Sequence, residues 1–408
     1  MSSQPFDTSP SERTVPVHAS MARRLVERLL PPVRSGRLHI TLPSGEVIEH
    51  RGAIPGVDAT IKLHRWRTLW HLARAGDLGF ADAYADGDWS TPDLPALLEW
   101  GMRNEEALTA NANGWPLVHA LNRVRHRGRG NTRRGSRRNI MAHYDLGNAF
   151  YEQWLDPGMN YSSALYHAEH QTLEEAQHAK LEQIITLLDL RGGERILEIG
   201  CGWGALAEKL LREHDASVTG VTLSAEQLRY TRNRLAANEL DDRADIRLQD
   251  YRDIGGRFDR IASVEMLEAV GEDYWSLYFD KLRSCLTERG VAVLQVITVD
   301  EARFDAYRQR PDFIQCNIFP GGMLPTKAIV RSEAERAGLR LMTEQSFGNG
   351  YARTLQEWRA RFLAAWPNIQ GLGFDQRFRR LWEYYLAYCE VGFRLRAVDV
   401  GLFKFTLR

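Results

Sequence analysis

The chain has 408 residues, 44% of them apolar and 26% charged, and its 53 Lys plus Arg balance 53 Asp plus Glu to a formal net charge of zero. That length allows two or three domains around a sizeable core, and the even charge singles out no polyanionic partner. The four cysteines, Cys201, Cys285, Cys316 and Cys389, are scattered without a C-x-x-C pair, which argues against a disulfide framework or a structural zinc site, predicts no metal, and suits a reducing cytosol.

In chain order, residues 1–16 (MSSQPFDTSPSERTVP) read as a polar, disordered tail without the apolar centre of a signal peptide. No run of about 18 apolar residues follows anywhere, so no bilayer span is expected. Residues 17–122 read as a small α+β domain. It holds an amphipathic helix over 21–30 and a hairpin over 36–52 turning at Pro43-Ser44-Gly45. A strand follows near 59–64, then helices near 65–75, 78–86 and 92–104. Trp66, Trp70, Trp89, Trp100 and Trp115 fall in this part; as core residues they need no partner, and as surface residues they suit contact with lipid. RVRHRGRGNTRRGSRR (123–138), with eight arginines, reads as a linker over 123–139. A basic run of this kind is either a solvated connector or a patch drawn to anionic head groups. It lacks the interleaved aromatics that stack on bases, so no nucleic acid is expected.

From residue 140 to 408, strands over 195–199, 217–222, 244–249, 258–264 and 290–297 alternate with helical patterns, and 339–347 and 402–408 add late strands. That alternation predicts a parallel sheet covered on both faces, a Rossmann-like α/β domain. Its first strand runs into Glu198-x-Gly200-x-Gly202-x-Gly204. The spacing fails the dinucleotide fingerprint, Thr222 stands where a ribose-binding acid would close the second strand, and no G-K-[ST] makes a P-loop. Such a loop lets backbone approach a ligand that carries no phosphate. S-adenosylmethionine, a sulfonium with a ribose and an adenine, fits.

The blocks HYDLGNAFYEQWLDPGMNYSSALY (143–166), LEIGCGWGALA, GVTLSAEQ, LQDYRD, FDRIASVEMLEAVG, FIQCNIFPGGMLPT and TLQEWRARFLAAWP occur in this order. Together they resemble the cyclopropane-fatty-acyl-phospholipid synthase family, which includes the mycolic-acid cyclopropane synthases. GDLGFADAYADGDW (76–89) resembles the N-terminal domain of its longer members. The resemblance implies a seven-stranded class I methyltransferase domain that moves the methyl of S-adenosylmethionine to an acyl-chain double bond, loses a proton and closes a ring. Bound bicarbonate is the family's proton acceptor. By resemblance, Tyr144, Tyr161 and Ser162 close over the cofactor's methionine part, Gly200 and Gly202 contact it from the loop, Thr222 and Gln227 bind the ribose, and Asp250 and Tyr251 flank the adenine. Glu268, Tyr351 and the Ile297 backbone belong to the bicarbonate site, where Ser163 replaces a cysteine, Gln295 a histidine and Ala269 another histidine; Asn317 replaces an aromatic near the acyl channel. Glu265 reads as structural and Cys201 as a small buried residue.

Two other classes compete. A nucleic-acid methyltransferase would want an acid or Asn followed by Pro-Pro-aromatic after the fourth strand, where this chain has Glu265-Met266-Leu267-Glu268. A silent lipid-binding module is at odds with the intact glycines, Thr222, Gln227 and Glu268. The expected partner is a phospholipid bilayer surface with unsaturated acyl chains, met from the cytoplasm by peripheral association with the inner face of the membrane. A homodimer is a further expectation, as is a partner reductase or oxidase should the product be a methyl- or methylene-branched chain.

Overall fold

The computed structural model describes residues 23–24, 26–27, 30–111 and 146–408. The 1–16 tail, the arginine-rich stretch 123–139 and Tyr144 lie outside these residues.

The first part is a four-stranded sheet of order β2-β1-β3-β4: β1 (Ser35–Thr41), β2 (Val47–Arg51), β3 (Ile54–Leu63) and β4 (Trp89–Ser90). The expected hairpin pairs β1 with β2 antiparallel, but β3 joins β1 in parallel. The two helices expected after it form one element, α1 (Arg67–Ala85), interrupted at Gly76, and α2 (Leu94–Arg103) follows with Asp93 capping its first turn. Trp89 is fully buried, stacked on Phe80 at 4.3 Å, and its indole N–H donates to the Phe80 carbonyl.

The second part is a seven-stranded sheet of order β10-β11-β9-β8-β5-β6-β7. Its parallel strands are β5 (Glu194–Ile199), β6 (Ala216–Thr222), β7 (Ala244–Leu248), β8 (Phe258–Val264) and β9 (Leu286–Val299). β10 (Leu339–Ser346) and β11 (Val398–Leu407) close one side, with β11 antiparallel to β9. Side chains alternate across this sheet. Ile196, Val218 and Val293 pack on one face beneath helices α3 (Leu173–Leu188) and α4 (Ala205–Glu213). Leu197, Val221 and Leu294 pack on the other beneath α6 (Trp275–Cys285) and α7 (Lys327–Arg336), so the sheet is apolar on both sides, as a covered parallel sheet must be. Between α4 and α6 in the chain lies α5 (Ala225–Ala237), which Ser224 caps.

The two parts share a core. Helix α8 (Gly348–Ala364) and helix α9 (Gln376–Arg394) bring Trp358, Phe362, Trp382 and Tyr384 into one apolar cluster with Tyr84, Trp89 and Trp100 of the first part. Ion pairs Arg377–Asp86 (2.9 Å) and Arg394–Glu99 (2.7 Å) rim that junction. The strand order reverses between β5 and β8, and at such a switch point the carboxyl ends of the strands leave a crevice for a ligand.

Candidate active site

The crevice opens where β5 turns into α4. Gly200 and Gly202 adopt left-handed φ of 81° and 52°. A Cβ on Gly200 would come within 2.5 Å of Met266 Sδ, whereas one on Gly202 would meet nothing within 4 Å, so the loop presents bare backbone to open space. Cys201 between them is buried among apolar neighbours, as expected. At the end of β6, Thr222 Oγ1 donates to Gln227 Oε1 at 2.8 Å, and both buried side chains line the cleft. Tyr251 lines it too. Asp250 borders a small adjoining recess, its carboxylate taking the Arg252 amide (3.0 Å) and guanidinium (2.6 Å).

Glu198 lies at the end of β5, and its Oε2 is buried in the cleft without a hydrogen-bond partner. Burial pushes its carboxyl up to about 8. An orphaned buried carboxyl beside a glycine loop fits a ligand with an ammonium group, and S-adenosylmethionine carries one at its amino-acid end. Above it, the segment 160–165 is pinned by α3 and α8: Gln177 donates to the Ser162 carbonyl (2.9 Å), and the Ala164 amide donates to Thr354 (3.1 Å). Buried Lys180 donates to Ser162 Oγ at 2.9 Å, and desolvation pulls its ammonium down to about 8. Tyr161 completes this wall, its hydroxyl 2.9 Å from that of Tyr385.

The structure thus gathers Tyr161, Ser162, Gly200, Gly202, Thr222, Gln227 and Tyr251 around one cleft, with Asp250 at its side. The residues assigned to the bicarbonate site also converge, but on a different centre. Glu265, the first residue after β8, also lines the cleft. Its Oε1 accepts from the Ser163 amide (2.8 Å) and from Gln295 Nε2 (2.7 Å), and its Oε2 accepts from the Tyr351 hydroxyl (2.8 Å). Read from the sequence as structural, Glu265 sits in the fold among the candidate site residues, with Ser163, Gln295 and Tyr351 as its partners. Its backbone has φ 51°, a left-handed conformation that costs a side-chain-bearing residue roughly 1–2 kcal/mol. Gln295 and Ile297 alternate with Val296 along β9 and so share a face; the Ile297 amide donates to Glu268 Oε1, while Glu268 Oε2 is buried and unpartnered.

The electrostatics separate the two glutamates. Burial raises both, but three donors and Lys180 hold Glu265 back, whereas burial and the neighbouring Glu265 charge push Glu268 up to about 8. The two neighbouring carboxyls are therefore pushed unequally, a division set by which donors reach each of them. Burial drives the Tyr351 hydroxyl well above its ordinary range, so it stays a donor. Its ring packs on Phe393 at 4.5 Å, beside Trp358, giving the corner an aromatic wall.

Sequence reasoning left Glu265 as structural and gave no role to Lys180, Tyr385 or the Glu198 carboxyl, all of which border this part of the fold. Glu265 carried one usable signal, a carboxylate placed directly after an apolar strand on the ligand edge of the sheet. Lys180 and Tyr385 carried none, while Glu198 stood at the head of the glycine motif. Among the described residues, no cluster of His, Cys, Asp and Glu could hold a metal.

A seven-stranded sheet with this strand order, a glycine loop after its first parallel strand and an ammonium-seeking carboxyl beneath it define an S-adenosylmethionine-dependent methyltransferase. A family model, mycolic acid cyclopropane synthetase, matches residues 131–403. The chain is 37% identical over 339 residues to the tuberculostearic acid methyltransferase UfaA1 of Mycobacterium tuberculosis, covering 81% of this chain and 78% of that protein. It is 36% identical over 335 residues to the cyclopropane-fatty-acyl-phospholipid synthase of Escherichia coli K12, covering 81% and 83%. The solved mycolic acid cyclopropane synthase CmaA1, complexed with SAH and CTAB, superposes with a TM-score of 0.62 at 30% identity over 66% of this chain and 97% of that one. The chain belongs to the mycolic acid cyclopropane synthetase family.

Proposed function

We propose that this enzyme transfers the methyl carbon of S-adenosylmethionine to the double bond of unsaturated acyl chains of membrane phospholipids and closes a cyclopropane ring. When bound, S-adenosylmethionine supplies an electrophilic methyl on a sulfonium. Glu198 and the Gly200–Gly202 backbone would seat its amino-acid end, and Thr222 with Gln227 its ribose. An alkene offers a weak, uncharged nucleophile, so the protein contributes by placing it accurately in a dry crevice. The observation that carries this reading is the corner beside the glycine loop, where aromatic rings and a hydrogen-bonded carboxyl group meet, the groups a developing carbocation requires. Labelled S-adenosylmethionine with vesicles of unsaturated phosphatidylglycerol is the test: label in the acyl chains supports it, and label confined to soluble small molecules sinks it.

A second reading keeps the methyl transfer and omits ring closure, giving a methyl- or methylene-branched chain. The 37% identity to a relative named for tuberculostearic acid favours it, and a reductase or oxidase partner would then complete the product. A ring and a methylene branch have equal mass, so lipids from expressing cells are compared before and after hydrogenation.

Substrate embedded in a bilayer implies peripheral binding at the inner face of the membrane. No described helix is long and apolar enough to cross it. Supporting the reading, Trp66, Trp70 and Leu72 are exposed near Arg65, Arg67 and Arg74 at the start of α1. Trp70→Ser should weaken co-sedimentation with anionic vesicles, as should replacing the 123–138 arginines with serine; binding unchanged by both would remove the contact. Self-association as a homodimer is read from sedimentation of the free enzyme.

A further inference from the structure

We propose that Glu265 is the catalytic base of this enzyme, its own carboxylate occupying the position for which the resemblance calls on bicarbonate. The inference rests on the alkene-alkylation reading above.

The geometry points to it through the donors. Of the residues that resemblance allots to the anion, the Ser163 segment, Gln295 and Tyr351 all donate to the Glu265 carboxylate, at 2.8, 2.7 and 2.8 Å. The remaining donor, the Ile297 amide, is taken by Glu268. A free bicarbonate does not fit this corner: the donors it would use are already taken by Glu265 and Glu268, and it would meet the Glu265 carboxyl at contact distance with no donor between them. The departures that the sequence shows at the site follow from the same arrangement. Gln295 and the Ser163 backbone orient a fixed carboxylate without titrating near neutrality, so no histidine is needed there. Glu265 holds its left-handed backbone at φ 51° because the carboxylate is tied at three points.

The chemistry balances on this residue. The alkene π pair forms the new C–C bond as the methyl C–S bond breaks, releasing neutral S-adenosylhomocysteine and leaving a carbocation on the neighbouring carbon. Glu265 then takes a proton from the transferred methyl, and the C–H electron pair closes the three-membered ring on the cationic carbon. The protonated Glu265 returns its proton to solvent through the cleft it lines.

The test compares wild type, Glu265→Gln and Glu265→Gly in carbonate-free buffer with and without added bicarbonate. Turnover is read on unsaturated phosphatidylglycerol vesicles, S-adenosylhomocysteine affinity by calorimetry, and the thermal midpoint alongside. Wild-type turnover is expected to ignore bicarbonate. Glu265→Gln should lose on the order of 10²-fold or more in turnover with unchanged S-adenosylhomocysteine affinity. Glu265→Gly, which suits the left-handed backbone and empties the donor cage, should fold, gain thermal stability with bicarbonate and recover part of its turnover. Wild-type turnover that falls without bicarbonate and returns with it overturns the proposal. So does full activity in Glu265→Gln, or a Glu265→Gly protein whose thermal midpoint ignores bicarbonate. Absence of acyl product from wild type under every condition sinks the acyl-chain reading instead, and the midpoint of Glu265→Gly still decides whether the cage is an anion site.

Discussion

Gly200, Gly202, Thr222 and Gln227, the proposed cofactor side of the cleft, come from one β-α-β-α run, β5 through the first turn of α5. The corner that faces them draws Ser163 from a loop before α3, Glu265 from the end of β8, Gln295 from β9 and Tyr351 from the first turn of α8. The first side is held by backbone geometry and local hydrogen bonds, so damage to it should appear in binding. The second is held by side chains converging across the sheet, so damage to it should appear in turnover.

The largest break expected on the cofactor side is Gly200→Ala. The new Cβ would strike Met266 and strain a backbone at φ 81°, about 3 kcal/mol or near a hundredfold in S-adenosylhomocysteine affinity by calorimetry. On the other side, Tyr351→Phe deletes one donor to a buried carboxylate, about 2 kcal/mol, so kcat should fall about thirtyfold while cofactor affinity holds. Equal losses in both quantities would erase the distinction between the two sides. Glu268→Gln sharpens it further: with its carboxyl pushed up to about 8, Glu268 is already neutral at pH 7, and an amide oxygen can still accept from Ile297. Its turnover should therefore drop by less than about fivefold, far less than that of Glu265→Gln.

The smallest effect is a proton count. Glu198 is protonated near neutrality because burial raises it to about 8, and an ammonium brought beside it favours the ionised form. S-adenosylhomocysteine binding at pH 7 should release a fraction of a proton, read from calorimetry in buffers of different ionisation enthalpy, and Glu198→Gln should abolish the release. The same raised pKa values set the free enzyme's stability. Glu198 and Glu268 bind protons more tightly folded than unfolded, so their contribution is complete below about pH 4.5 and is lost as pH rises through about 8. Lys180, lowered to about 8, acts oppositely: its burial penalises folding below that pH and ceases to do so above the ordinary lysine range. Thermal midpoints followed from pH 5 to pH 8 should therefore decline in wild type and decline less in Glu268→Gln.

What the sequence determined by itself was whatever depends on neighbours along the chain. The alternation of apolar strands with amphipathic helices defined the covered sheet. The glycine spacing together with Thr222 at the end of β6 excluded dinucleotides and pointed to S-adenosylmethionine, and the ordered blocks named the family. Tertiary structure alone decided that Glu265 is the point where Ser163, Gln295 and Tyr351 meet, and that helix α9 joins the first part to the second in a single core. The reason is physical. A loop conformation and a strand's periodicity are set by local sterics and hydrophobic patterning. A carboxylate's role is set by which donors reach it and how much water is excluded, and in this chain those donors lie on elements 163 to 351 that only the folded sheet brings within hydrogen-bond distance.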